Sequence, residues 1–178
     1  QSSRQACAEQ IRFENGRFYQ AEMTSCGLND GPLRGKGNYP AYIACNLYGK
    51  KGTRFLSMLK HPKNGYPFFT QKGGDRENGE DQYIANMCDG AVAGFKYFDL
   101  SQTGAVRINI KGKAEGTVLV RTSEKGETVA EIPVKPCREV HGFSAKIAGL
   151  GEKEALFFSF QGKGAFDFFS FDLKEDRQ

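Results

Sequence analysis

Apolar and polar positions alternate with a period of two along most of the second half of the chain. Val106, Ile108 and Ile110 are separated by polar neighbours, Val118 and Val120 follow the same rule, and Phe143, Ala145 and Ile147 repeat it. In an extended strand that spacing puts the apolar side chains on one face and leaves the other wet. The pattern predicts strands over residues 83–87, 92–100, 105–110, 116–122, 128–134 and 143–147. Earlier, residues 18–23 read as a short strand and 42–47 as a second apolar run, separated by a bend rich in Gly, Asn, Asp and Pro. No segment shows convincing helical amphipathicity. The expected class is therefore all-β, a β-sandwich or jelly roll of two antiparallel sheets.

The end of the chain is denser in aromatic residues. Ala155 to Phe160 and Phe166 to Phe171 are separated by Gly162-Lys163-Gly164, which predicts a closing hairpin, because glycines permit positive φ and the flanking residues favour strands. Asp167 lies among Phe166, Phe168 and Phe169. A bare carboxylate there is costly unless it meets a cation or several donors, which makes Asp167 a candidate metal ligand.

The regular spacing breaks between about residues 48 and 82, a loop-like insertion that nevertheless carries Phe55, His61, Tyr66, Phe68 and Phe69. So long a loop with its own aromatics is expected to be functional or self-packed. The acids within it, Asp75, Glu77, Glu80 and Asp81, read as a solvated charged run, and Asp89-Gly90 reads as a turn.

A length of 178 residues suits one sandwich domain spanning 1–178. The formal charge of +4 is weak and its Lys and Arg are scattered, which argues against nucleic acid as a partner. No apolar run approaches membrane-spanning length, so no membrane partner is expected. No signal-peptide pattern begins at Gln1, and a mature secreted chain, a cytosolic chain and a piece of a longer chain all fit. Cys7, Cys26, Cys45, Cys88 and Cys137 are isolated from one another, which excludes a Cys-x-x-Cys zinc site and leaves at least one thiol free. Only His61 and His141 are present, with no Gly-x-Ser-x-Gly elbow and no phosphate loop, so the chain is not expected to be an enzyme in its own right.

Gln20-Ala21-Glu22, Asp89 to Lys96, the strand from Gly116, Phe160-Gln161-Gly162 and Phe166 to Phe169 together resemble a family 6 carbohydrate-binding module. Ser3 to Glu9, Met23 to Leu28 and Gln82 to Met87 resemble, more specifically, the module at the C-terminus of bacterial family 43 glycoside hydrolases. The resemblance implies a non-catalytic module that binds xylan or arabinoxylan in the plant cell wall and shares a parent chain with a glycoside hydrolase catalytic domain. The alternative it leaves open is a degenerate, non-binding module that packs on and stabilises that domain, leaving an apolar patch when isolated. A bacterial source is implied, with an extracellular setting favoured over a cytoplasmic one.

The same resemblance implies a structural calcium ion, with Gln20, Glu22 and Asp167 at the matching positions. Gln20 stands where the family usually has an acid, so calcium would bind less strongly. In the sugar cleft Asn86, His141 or Phe143, and Ala165 stand where the family has Tyr, Trp and Asn. A cleft remodelled by the insertion would be lined by Tyr66, Phe69, Tyr83, Asn86, His141 and Phe143, each of which has packing into the core as its competing role.

Overall fold

A computed structural model of the chain describes residues 7–50, 65–72 and 82–176. Short strands come first: β1 (Arg12–Glu14), β2 (Arg17–Tyr19), β3 (Leu33–Arg34), β4 (Gly37–Pro40), β5 (Asn46–Tyr48) and β6 (Phe68–Gln71). Longer ones follow: β7 (Gln82–Cys88), β8 (Val92–Asp99), β9 (Thr103–Gly112), β10 (Glu115–Arg121), β11 (Thr128–Val134), β12 (Cys137–Lys146), β13 (Glu154–Lys163) and β14 (Ala165–Glu175). One sheet runs β11-β10-β13-β8-β3, with β5 also on β8. The other runs β12-β9-β14-β7-β6, with β4 also on β14, and β1–β2 form a hairpin of their own. Pairing is antiparallel apart from β3 with β8. The chain is an all-β sandwich, as its alternation predicts.

The period-two positions account for the core. Val106, Ile108 and Ile110 of β9 are buried, whereas Arg107 and Lys111 are exposed and Asn109 is only half-buried. Phe95 and Phe158 from the first sheet meet Phe168 and Phe171 from the second, with Phe158 5.5 Å from Phe168 and 5.2 Å from Phe171 between ring centroids. Each such side chain contributes about 1.5–3 kcal/mol by leaving water, and their tilted and edge-on contacts suit the ring quadrupole.

The aromatic end is not a hairpin. β13 pairs with β10 and β8 in the first sheet, whereas β14 pairs with β9, β7 and β4 in the second. Gly164, at φ +73, lets the chain cross between the layers. Crossing places Phe158 and Phe160 opposite Phe168 and Phe166, so the rings interdigitate across the core. Period-two patterning looks the same in either arrangement, which is why it misleads here.

Three further expectations change. The early strand stops at Tyr19, and Gln20 to Thr24 carry no regular structure. The run at 42–47 splits into a 3-10 turn, Ala41–Ile43, and β5; the Ala44 N–H donates to the Ala41 carbonyl at 3.2 Å and Ala41 is buried. Within the insertion Phe68–Gln71 pairs with β7 as an edge strand. Phe55, His61, Asp75, Glu77, Glu80 and Asp81 lie outside the described residues. All five cysteines are free thiols, four of them half-buried.

Candidate functional site

The outer face of the β12-β9-β14-β7-β6 sheet carries an organised polar and aromatic surface. In β14, Phe166, Phe168 and Phe171 point inward, and Asp167 takes the opposite face. A register shift between Phe168 and Ser170 interrupts the alternation. Phe169 stacks on Tyr83 of β7, with ring centroids 4.8 Å apart and planes 23° apart, and the Lys72 ammonium sits 5.4 Å from the Phe169 centroid. The result is a stacked aromatic pair with a cation over the Phe169 ring.

Asp167 lies beside that pair. Its carboxylate accepts the Asn86 N–H at 3.3 Å and faces Lys111 across the β14–β9 ladder. Burial pushes its carboxyl above the ordinary carboxylate range, while the Asn86 N–H and the Lys111 charge pull the other way. The Tyr83 hydroxyl is raised as well, first by burial and then by the Asp167 charge. Asn86 has φ +60, a region Asn tolerates better than most residues, and its side-chain amide donates to the Tyr66 carbonyl at 2.9 Å. That bond ties the turn before β6 to β7.

Farther along the same face, three strands share a polar ladder. The Asn38 amide donates to Ser170 Oγ at 3.1 Å and to Asp172 at 2.8 Å; the Asn109 amide donates to the same two side chains at 3.0 and 2.9 Å. Next to it, Arg107 lies across Gly142, where an added Cβ would overlap the guanidinium. Gly142 therefore makes room for a cation on this face.

The six sequence-predicted ligand residues separate into two groups. Tyr83 and Asn86 share β7, and the Tyr66 carbonyl is held against Asn86. His141 and Phe143 are neighbours at 4.9 Å on β12, the opposite edge strand, with β9 and β14 between them and β7. Phe143 and Phe69 are partly buried and pack against the core. Phe169, Lys72 and Lys111 are missing from the sequence-derived set. Period two places Phe169 on the face of Asp167, a signal that was present; the contacts of Lys72 and Lys111 depend on pairing between distant strands and were not legible.

The predicted calcium ligands do not converge. Glu22 lies against β8 of the first sheet, its carboxylate taken by the Lys96 ammonium at 3.0 Å and the Tyr97 hydroxyl at 2.9 Å. These partners hold the Glu22 carboxyl below its ordinary range, the Lys96 hydrogen bond first. Gln20 is exposed, and Asp167 belongs to the other sheet. Among the described residues no three His, Cys, Asp or Glu side chains gather at metal-binding distance. The donor set of Gln20, Glu22 and Asp167 does not fit one calcium ion, because one carboxylate is already neutralised and another lies on a separate layer.

Solved structures place the fold. A family 6 carbohydrate-binding module from Clostridium stercorarium, determined with cellobiose, superposes at a TM-score of 0.62, with 16% identity over 82% of this chain and 98% of that one. A family 6 module from Clostridium cellulolyticum, determined with xylose, gives a TM-score of 0.60, with 13% identity over 80% of this chain and all of the other, 100%. The chain has the fold of the family 6 carbohydrate-binding modules. The chain also superposes on part of a family 43 arabinoxylan arabinofuranohydrolase from Bacillus subtilis, at a TM-score of 0.63 and 14% identity, covering 94% of this chain and 33% of that one. In sequence, the chain is 43% identical over 176 residues to a xylosidase/arabinosidase of Thermoclostridium stercorarium. That match takes in 98% of the chain and 37% of the relative, so the chain spans little more than a third of that protein's length. No family model matches the chain.

Proposed function

We propose that this chain is a non-catalytic carbohydrate-binding module that holds xylan or arabinoxylan chains on the outer face of the β12-β9-β14-β7-β6 sheet. The observation that carries this reading is Asp167 beside the Tyr83–Phe169 pair. Among the described residues this half-buried carboxylate accepts one long N–H bond and has room for further donors, which the hydroxyls of a sugar supply. The axial C–H groups of a pyranose supply the apolar surface that an aromatic ring takes. Lys111 and Lys72 offer further donors at the margins. The ladder from Asn109 to Asn38 prolongs the polar face along the strands, which suits a chain-like ligand over a single sugar.

Xylan or arabinoxylan is the preferred class for two reasons. The 43%-identical relative is a xylosidase/arabinosidase, and one module of this fold was determined with xylose. Such a module raises the local concentration of substrate around a linked hydrolase and leaves the chemical step alone. Affinity electrophoresis in gels containing soluble arabinoxylan tests the reading. Retardation that disappears in Phe169→Ala is expected; unretarded wild-type protein would sink it.

A further inference from the structure

The exposed apolar surface is concentrated in one place. Among the described residues the large hydrophobic side chains open to solvent are Val140 and six others, all six between Ile11 and Leu28. At their centre stands the β1–β2 hairpin, closed by Asn15 and Gly16 at φ +52 and +75, the signature of a tight two-residue turn. Phe13 and Phe18 are register partners with rings 4.7 Å apart, yet they stay 58% and 72% exposed. The hairpin belongs to neither sheet of the sandwich, and the core closes without it. Two-stranded hairpins are marginally stable in water by themselves, so this one has an apolar face in want of a cover.

Its base is nonetheless anchored. Glu9 accepts the Thr24 N–H at 2.7 Å and the Thr24 hydroxyl at 3.0 Å, and the Ser25 hydroxyl donates to the Ile43 carbonyl at 2.8 Å. The hairpin therefore projects from the sandwich at a fixed root. The length of the relatives indicates what it meets. The xylosidase/arabinosidase extends well beyond the 37% of its length matched here, and the superposition covers 33% of the arabinofuranohydrolase chain.

We infer that the Phe13–Phe18 face, extended by Ile11 and Met23, docks onto an apolar surface of the remainder of the same polypeptide, a glycoside hydrolase catalytic domain. This rests on reading the chain as one module of a longer enzyme, but not on where sugar binds. The docked hairpin fixes the sugar-binding face relative to the catalytic domain, which a flexible tether does not.

Hydroxyl-radical footprinting of the 178-residue chain and of the full-length polypeptide containing it tests the inference. Phe13, Phe18 and Met23 are expected to oxidise several-fold more slowly in the full-length protein. Phe13→Ser/Phe18→Ser in the full-length protein is expected to restore fast oxidation of Met23, with arabinoxylan binding by the module unchanged. Equal oxidation in both proteins overturns the inference. Protection in the 178-residue chain that grows with its concentration also overturns it, by assigning the face to a second copy. Loss of sugar binding with the footprint intact counts against the proposed function alone.

Discussion

Tyr83 and Phe169 lie on adjacent strands of one sheet and stack with centroids 4.8 Å apart, forming the aromatic edge of a surface whose polar centre is Asp167. If sugar rests there, either aromatic side chain is needed for binding and neither is needed for the core. Phe169→Ala is expected to weaken arabinoxylan-oligosaccharide binding by about tenfold or more, about 1.4 kcal/mol. Circular dichroism should show an unchanged sandwich.

Asp167 couples stability to pH. Its carboxyl is raised by burial, so the folded chain binds that proton more tightly than the unfolded chain does. Ionisation thus costs the fold stability as pH rises through the raised value, and the cost vanishes below the ordinary carboxylate range. Asp167→Asn is expected to melt higher than the wild type at pH 7, with the difference closing on acidification, while binding sugar more weakly. A lower melting temperature at pH 7 would show that the carboxylate is better compensated than its bond from the Asn86 N–H indicates.

Glu22 and Asp167 are expected to act independently. Glu22 is held by Lys96 and Tyr97 on one sheet, and Asp167 by Asn86 on the other. In a double-mutant cycle, Glu22→Gln and Asp167→Asn should add to within about 0.5 kcal/mol, with or without chelator. Coupling that appears only with calcium present would return both residues to one ion site.

Gly94 has no room for a side chain. A Cβ there would sit 2.5 Å from the Phe157 ring, and Phe157 is its register partner on β13. Gly94→Ala is expected to cost about 1–3 kcal/mol by overpacking, read as a lower urea midpoint at unchanged slope.

The sandwich was legible in the sequence because period-two runs such as Val106-Ile108-Ile110 specify a face wherever they pair. What the runs do not specify is which strand lies alongside which. Phe160 and Phe166 flank a Gly-Lys-Gly segment that suits a hairpin and a crossover equally, and only packing across the core decides for the crossover. The same gap explains the site. Tyr83 and Asn86 belonged to a predicted strand and to the predicted ligand set, but their partners Phe169, Asp167 and Tyr66 come from other strands and turns, joined by pairing that composition does not encode. His141 and Phe143 carry suitable chemistry and are placed by β12 at the wrong edge. Glu22 was expected as a metal ligand because the family resemblance places one at its position, whereas Lys96 and Tyr97, distant in sequence, already hold its carboxylate.

Isothermal titration calorimetry of the wild type and Tyr83→Ala with xylo- and arabinoxylo-oligosaccharides tests the central claim most directly. The account predicts a saturable signal for the wild type, at an affinity weaker than about 1 μM as befits an open sheet face, and its loss in the variant. No heat across the panel, or binding that survives Tyr83→Ala unchanged, would contradict it.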